Sequence, residues 1–166
     1  MARGAIKARF IEPMLLQRKE RLPVGPDWLY EIKLDGYRAL AIKNDGRAAL
    51  RSRNDNDFSR RYPTIVKALA GLPNETVIDG EVVALDETGK PSFNVLQNYG
   101  SSPADVFYYV FDVLVLASRD VMGEPLASRR ALLEKRILPK LHDPVRYSLE
   151  HYLLTCCPRT AGAFTR

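Results

Sequence analysis

The chain has 166 residues, 46% hydrophobic and 27% charged, with 25 lysines and arginines against 20 acidic residues for a net charge of +5. This balance excludes a disordered polar chain and allows one ordinary core, that of a compact domain or a fragment of one. The basic excess favours an anionic partner, nucleic acid or nucleotide, without naming it. The start, MARGAIKARFIEPMLLQ, is broken by Glu12 and Pro13. Its apolar runs are too short for a signal segment or a membrane span, so a cytoplasmic address and no membrane partner are expected. Cys156 and Cys157, the only cysteines, are adjacent and offer neither a disulfide framework nor zinc-ligand spacing.

Trp28, Tyr30, Ile32 and Leu34 alternate with Leu29, Glu31, Lys33 and Asp35, which predicts an extended segment with three charges pointing the same way. Gly36 allows a bend. Tyr37 to Lys43 reads as a second strand, Asn44-Asp45-Gly46 as a hairpin turn and Arg47 to Arg53 as the return strand. RYPTIVKALAGLP has an early helical proline, Ile65, Val66 and Leu69 at apolar positions, and Gly71 as a stop, so it predicts a helix. ETVIDGEVVALDETGKP reads as strand, Gly80 kink and second strand to Leu85, followed by a turn at Glu87 to Gly89. SFNVLQNY predicts one or two helical turns. VFYYVFDVLVL, Val106 to Leu116, predicts a central strand buried on both faces. PLASRRALLEKRIL predicts an amphipathic helix with Arg129, Arg130, Lys135 and Arg136 between its apolar positions. Strands and helices in this order, with hairpins instead of regular βαβ units, indicate an α+β fold. After Ser148 the run LEHYLLTCCPRTAGAFTR has no period and no capping pattern.

Taken alone, EIKLD reads as the wet face of an edge strand. Its sharper reading is a nucleophilic Lys33. Only about 1 in 2,500 ordinary lysines is neutral at pH 7, so such a role needs the charged form disfavoured by ~4 kcal/mol. Neighbouring cations and partial desolvation do that, whereas carboxylates do the reverse. Arg38, Arg53 and a bound divalent ion are candidates for the positive surroundings, and Glu31 and Asp35 need other work.

Lys33-Leu34-Asp35-Gly36 with Arg38, then Ser52-Arg53-Asn54, Asp79-Gly80-Glu81 and Tyr109-Val110-Phe111-Asp112, in this order and spacing, resemble the nucleotidyltransferase core of ATP-dependent DNA ligases. FIEPML, DWLYEIKLDGYR, LRSRND, VIDGEVVALDETGKPSF and the helix after GEPL resemble the bacterial ligase D type, and the resemblance covers about Phe10 to Ser148. It implies a nucleotidyltransferase (ATP-grasp-like) core with antiparallel and mixed sheets and flanking helices. It also implies ATP as substrate, Mg2+ or another divalent metal, and nicked double-stranded DNA as partner in repair or recombination. A polymerase or end-binding partner is left open. Lys33 matches the lysine that takes AMP from ATP. Glu31 and Ile32 match the contacts to the adenine edge, and Arg38 and Arg53 match groups that hold ribose or phosphate oxygens. Glu81 matches a carboxylate that bonds a ribose hydroxyl, and Phe111 the ring stacked on adenine. No metal ligand is assigned.

Without the neighbouring motifs, Phe111 would read as core, Glu81 as a turn carboxylate and Arg53 as a solvated strand end. Asp112 is expected to be structural, paired with a backbone or basic group. His142 and His151 are expected at the surface. Asp55 stands where many family members have glycine. The resemblance divides the chain into a lead-in segment over 1–27, a partial adenylation domain over 28–148 and an aberrant or unstructured tail over 149–166. The family's later EG-V-K segment and lysine pair do not occur in these 166 residues, and neither does room for its OB-fold domain. The expectation is therefore a reading frame broken just after Ser148 and a nucleotide site of reduced activity. Two alternatives stay open: a non-catalytic nucleotide or nucleic-acid binder using Arg51, Arg53, Arg60, Arg61 and the basic helix face, and an RNA ligase or capping-type nucleotidyltransferase.

Overall fold

The structure, a computed structural model, describes residues 5–15, 20–21, 25, 30–101, 103–148 and 161–163. The predicted hairpin forms as β2 (Tyr37–Asn44) and β3 (Arg47–Ser52), with Asp45 at φ 46° and Gly46 at φ 78° in the tight turn. Two positive φ values in succession match the right-handed twist of the flanking strands, which is why Asp-Gly is favoured there. Pro63 opens α1 (Pro63–Ala68), and a tighter turn, Leu69–Gly71, closes it. Gly71 is required by space: a Cβ there would lie 2.2 Å from the Lys140 carbonyl oxygen.

β4 (Thr76–Ala84) is one continuous strand, not two pieces about a kink at Gly80. The irregularity expected there is a register shift between Asp79 and Gly80 in the pairing with β5 (Val106–Leu116). A side chain at Gly80 would meet the Tyr109 carbonyl oxygen at 2.5 Å and the Tyr108 ring at 2.7 Å, so the strand passes only because the position has no Cβ. Between these strands lies α2 (Phe93–Gln97), capped by the Ser92 hydroxyl accepting from the Val95 N–H at 3.4 Å.

The main sheet is ordered β3-β2-β4-β5-β6, where β6 is Arg119–Asp120 and all pairs are antiparallel. β7 (Val145–Tyr147) adds to β5 in parallel, making the sheet mixed. A separate two-stranded ribbon joins β1 (Tyr30–Ile32) to β8 (Ala161–Ala163), the part of the tail that is described. The fold is α+β.

Strand alternation divides the core. Ala39, Ala41, Ile78, Val82 and Tyr108 face a cluster with Ile65, Leu69, Leu96, Leu133 and Ile137 from the helical segments. Leu40, Ile42, Val77 and Val115 face the other way, where the lead-in residues Ile6, Ala8, Phe10 and Ile11 cover them. The Ala8 N–H donates to Glu75 at 2.6 Å and the Asn44 side chain donates to the Ala8 carbonyl at 2.8 Å. β5 is buried on both faces only in part, because Phe107, Tyr109 and Phe111 are half-buried where their neighbours are fully buried.

α3 (Leu126–Leu132) continues into a wider turn, Leu133–Ile137. The expected basic face does not form as drawn, since Arg129 and Arg130 are 6% and 4% exposed. Arg129 makes two bonds to Asp112, at 2.9 and 3.0 Å, which is the structural pairing expected of that acid. Arg130 pairs with Glu31. Lys135 and Arg136 remain exposed. Among the described residues no helix is long and apolar enough to cross a membrane.

Candidate active site

β1 ends at Ile32, earlier than alternation alone suggests, and Lys33-Leu34-Asp35 form an arch leading to β2. The three charges therefore do not share one face: Glu31 is buried against Arg130, while Lys33 and Asp35 are exposed. The far end of the arch is fixed by the Gly36 N–H, which donates to Glu81 Oε1 at 2.9 Å. The glycine is needed for that approach, because a Cβ would stand 2.2 Å from the Val82 carbonyl oxygen and 3.0 Å from Glu81 Cγ.

Beneath the arch, the middle strands supply Arg38, Glu81 and Phe111, with Arg38 and Glu81 directly opposite each other in the β2–β4 register. The Arg38 guanidinium forks onto Asp79 at 3.1 and 2.7 Å, donates to the Met14 carbonyl at 2.7 Å and lies 5.7 Å from the centre of the Phe111 ring. Burial works against its charge, but the hydrogen-bonded Asp79 carboxylate prevails and holds its pKa above the ordinary value. Burial pushes Glu81 up to about 7, against the opposing pull of the Gly36 N–H and the Lys33 and Arg38 charges.

The next side of the cleft is the turn after β3. The Ser52 hydroxyl accepts from the Asn54 and Asn56 N–H groups at 3.3 and 3.0 Å, and the Arg53 N–H donates to the Arg38 carbonyl at 3.1 Å. Asp55 sits at φ 60°, the left-handed conformation that glycine adopts without cost. Its carboxylate accepts from Arg51 Nε at 2.8 Å, so a local bond accompanies the less favourable backbone. The last wall is aromatic: Tyr37 packs edge-on against Phe58 and Phe93, at 5.8 and 5.0 Å between ring centres.

The half-open cleft has a volume of about 730 Å³, the size of a small-molecule site. Lys33, Arg38, Arg53, Glu81 and Phe111 all line it. Glu31 is outside the lining, its carboxylate engaged by Arg130, and Ile32 is placed in β1. Sequence reasoning missed Tyr37, Phe58, Phe93, Asn54 and Asn56 as lining residues. Tyr37 and Phe93 stood inside quoted motifs, but nothing in their spacing announced a shared wall. His142 is exposed, as expected, while His151, Cys156 and Cys157 lie outside the described residues. Among the described residues no three His, Cys, Asp or Glu side chains are grouped to hold a metal ion.

A mixed sheet with flanking helices and a lysine-bearing cleft make this an α+β domain with a small-molecule site. Residues 13–155 match the ATP dependent DNA ligase domain, and the chain belongs to that family. It is 39% identical over 142 residues to the multifunctional non-homologous end joining protein LigD of Pseudomonas aeruginosa, covering 84% of this chain and 17% of that one. It is 33% identical to DNA ligase C of Mycobacterium tuberculosis, covering 74% of this chain and 37% of that one. Among solved structures it resembles mycobacterial DNA ligase D complexed with ATP and MES, with TM-score 0.62 and 34% identity, covering 74% of this chain and 40% of that chain. The chain thus spans about one-sixth of the LigD length.

Proposed function

We propose that this chain performs the adenylation step of an ATP-dependent DNA ligase. The unprotonated Lys33 Nζ attacks the α-phosphorus of ATP: a P–N bond forms, the bond to the bridging oxygen breaks, pyrophosphate leaves and the nitrogen gives up its extra proton to solvent. AMP then passes to the 5′-phosphate of a nick in double-stranded DNA, and the adjacent 3′-hydroxyl displaces it, sealing the strand in repair or recombination.

One observation carries the reading: Lys33, Arg38, Arg53, Glu81 and Phe111, from four separate stretches of sequence, converge on a single cleft. In it Phe111 offers a ring face to adenine, Glu81 a carboxylate oxygen to a ribose hydroxyl, and Arg53 a cation to the phosphates. Arg38 acts on the ring from beneath, held by Asp79. Glu31 and Ile32 on β1 are assigned to the adenine edge from the family resemblance, with the Glu31 carboxylate engaged by Arg130. The donor set suits Mg2+ bound mainly through the triphosphate and water, because Asp35 and Glu81 are the carboxylates lining the cleft. When bound, the ion neutralises phosphate charge. We read the core as the ATP-grasp-like one, which a mixed sheet with flanking helices supports.

The burial of Arg129 and Arg130 weighs against a purely electrostatic DNA binder, since it removes half of the basic helix face such a protein would use. The test is incubation with Mg2+ and ATP labelled at the α-phosphate, beside Lys33→Ala. Label that survives denaturation on the parent alone is expected. Label on neither protein overturns the reading.

A further inference from the structure

Arg130 lies on α3, outside every motif that marks the cleft, and is 4% exposed. Its guanidinium reaches three strands at once. It pairs with Glu31 on β1, two residues before Lys33; its Nε lies 3.4 Å from the Phe111 carbonyl oxygen on β5; and its carbon stands 5.7 Å from the Tyr147 ring centre on β7. The next residue back, Arg129, holds Asp112, the neighbour of Phe111, by two bonds. Successive arginines on one helix thus grip β5 at successive residues, and Arg130 also holds β1.

β1 is paired in the two-stranded ribbon with β8, apart from the six-stranded sheet that carries Arg38, Glu81 and Phe111. Among the described residues, the arch bearing Lys33 is consequently tied to that sheet at both ends. Its far end is held by Glu81 through the Gly36 N–H, and its near end by Arg130 through Glu31. A five-donor planar guanidinium can serve two acceptors in fixed geometry, which an ammonium cannot match.

We infer that Arg130 is a positioning residue for lysyl-AMP formation: it sets the separation of Lys33 from the Phe111 ring without touching the nucleotide. The inference rests on the adenylation proposed above. A misplacement of about 1 Å can cost ~10²-fold in rate, so Arg130→Met should lower the labelling rate at saturating ATP by about 10- to 100-fold. Arg130→Lys, which keeps the charge opposite Glu31, should fall less, within about 10-fold of the parent.

Thermal unfolding of both variants gives the folded fraction, and hydrogen exchange reads the arch directly. Faster exchange over residues 30–36 in Arg130→Met, with a rate loss exceeding the loss of folded protein and partial recovery in Arg130→Lys, is the expected result. If Arg130→Met does not fold, Arg130→Lys carries the same comparison. Labelling that tracks the folded fraction alone, or unchanged exchange over residues 30–36, overturns the role of Arg130. An unlabelled parent overturns the adenylation reading instead, and the exchange measurement still decides whether Arg130 holds the arch.

Discussion

Gly36→Ala adds a single carbon at the place where the lysine arch meets the sheet. The new Cβ would stand 2.2 Å from the Val82 carbonyl oxygen and 3.0 Å from Val83 Cγ2. Val82 cannot yield, because it is paired with Tyr37 on one side and Tyr108 on the other. The arch must therefore lift by roughly 1 Å, enough to cost ~10²-fold in a reaction that depends on alignment. The lift also breaks the 2.9 Å bond from the Gly36 N–H to Glu81. That bond and the overpacking together should cost about 2 to 4 kcal/mol of stability. Gly46→Ala is the control: Gly46 has φ 78° but open space around it, so only its backbone preference is at stake, about 1 kcal/mol. The assay is the initial rate of α-phosphate label transfer at saturating ATP for both variants, with urea unfolding alongside. A Gly36→Ala protein that labels within threefold of the parent would refute the reasoning.

Glu81 makes stability depend on pH. Its carboxyl is pushed up to about 7 from an ordinary 4.5, so between those values the folded chain holds a proton that the unfolded chain has released. The resulting penalty is absent below pH 4.5 and complete above pH 7, where it amounts to about 3 kcal/mol. Glu81→Gln, which retains an acceptor for the Gly36 N–H, should lose less stability than the parent between pH 5 and pH 8; identical urea curves for the two proteins at both pH values would contradict this. Arg38→Ala leaves Asp79, 1% exposed, without its forked partner and should destabilise the fold by about 3 to 5 kcal/mol. Arg38→Ala with Asp79→Ala should recover more than half of that in denaturant titration, and no recovery would show that the loss lies elsewhere.

Local signals with one physical solution were legible in the chain itself. Asn44-Asp45-Gly46 demanded a tight hairpin, Pro63 opened a helix, and the apolar run from Val106 to Leu116 became the longest strand. The cleft was legible because Lys33, Arg38, Arg53, Glu81 and Phe111 sit in short motifs at known spacing. What escaped depends on contacts between distant residues. Helical periodicity sorts arginine with the polar face, so it could not show that Asp112 and Glu31 draw Arg129 and Arg130 inward. Gly80 read as a kink because glycine often marks one; its actual constraint is the Tyr109 carbonyl oxygen and the Tyr108 ring, set by strand pairing. Tyr37, Phe58 and Phe93 form a wall only once a hairpin, a loop and a short helix are assembled.

The contact between Arg38 and the Met14 carbonyl has a practical consequence for anyone trimming this protein. A fragment cut to begin just before the Lys33 motif would lose the backbone oxygen that helps to steady Arg38. It would also uncover Leu40, Ile42, Val77 and Val115, which Ile6 to Ile11 shield from water. Such a minimal version would be sticky and its arginine held by Asp79 alone, so expression plasmids should retain the opening stretch as well as the lysine motif.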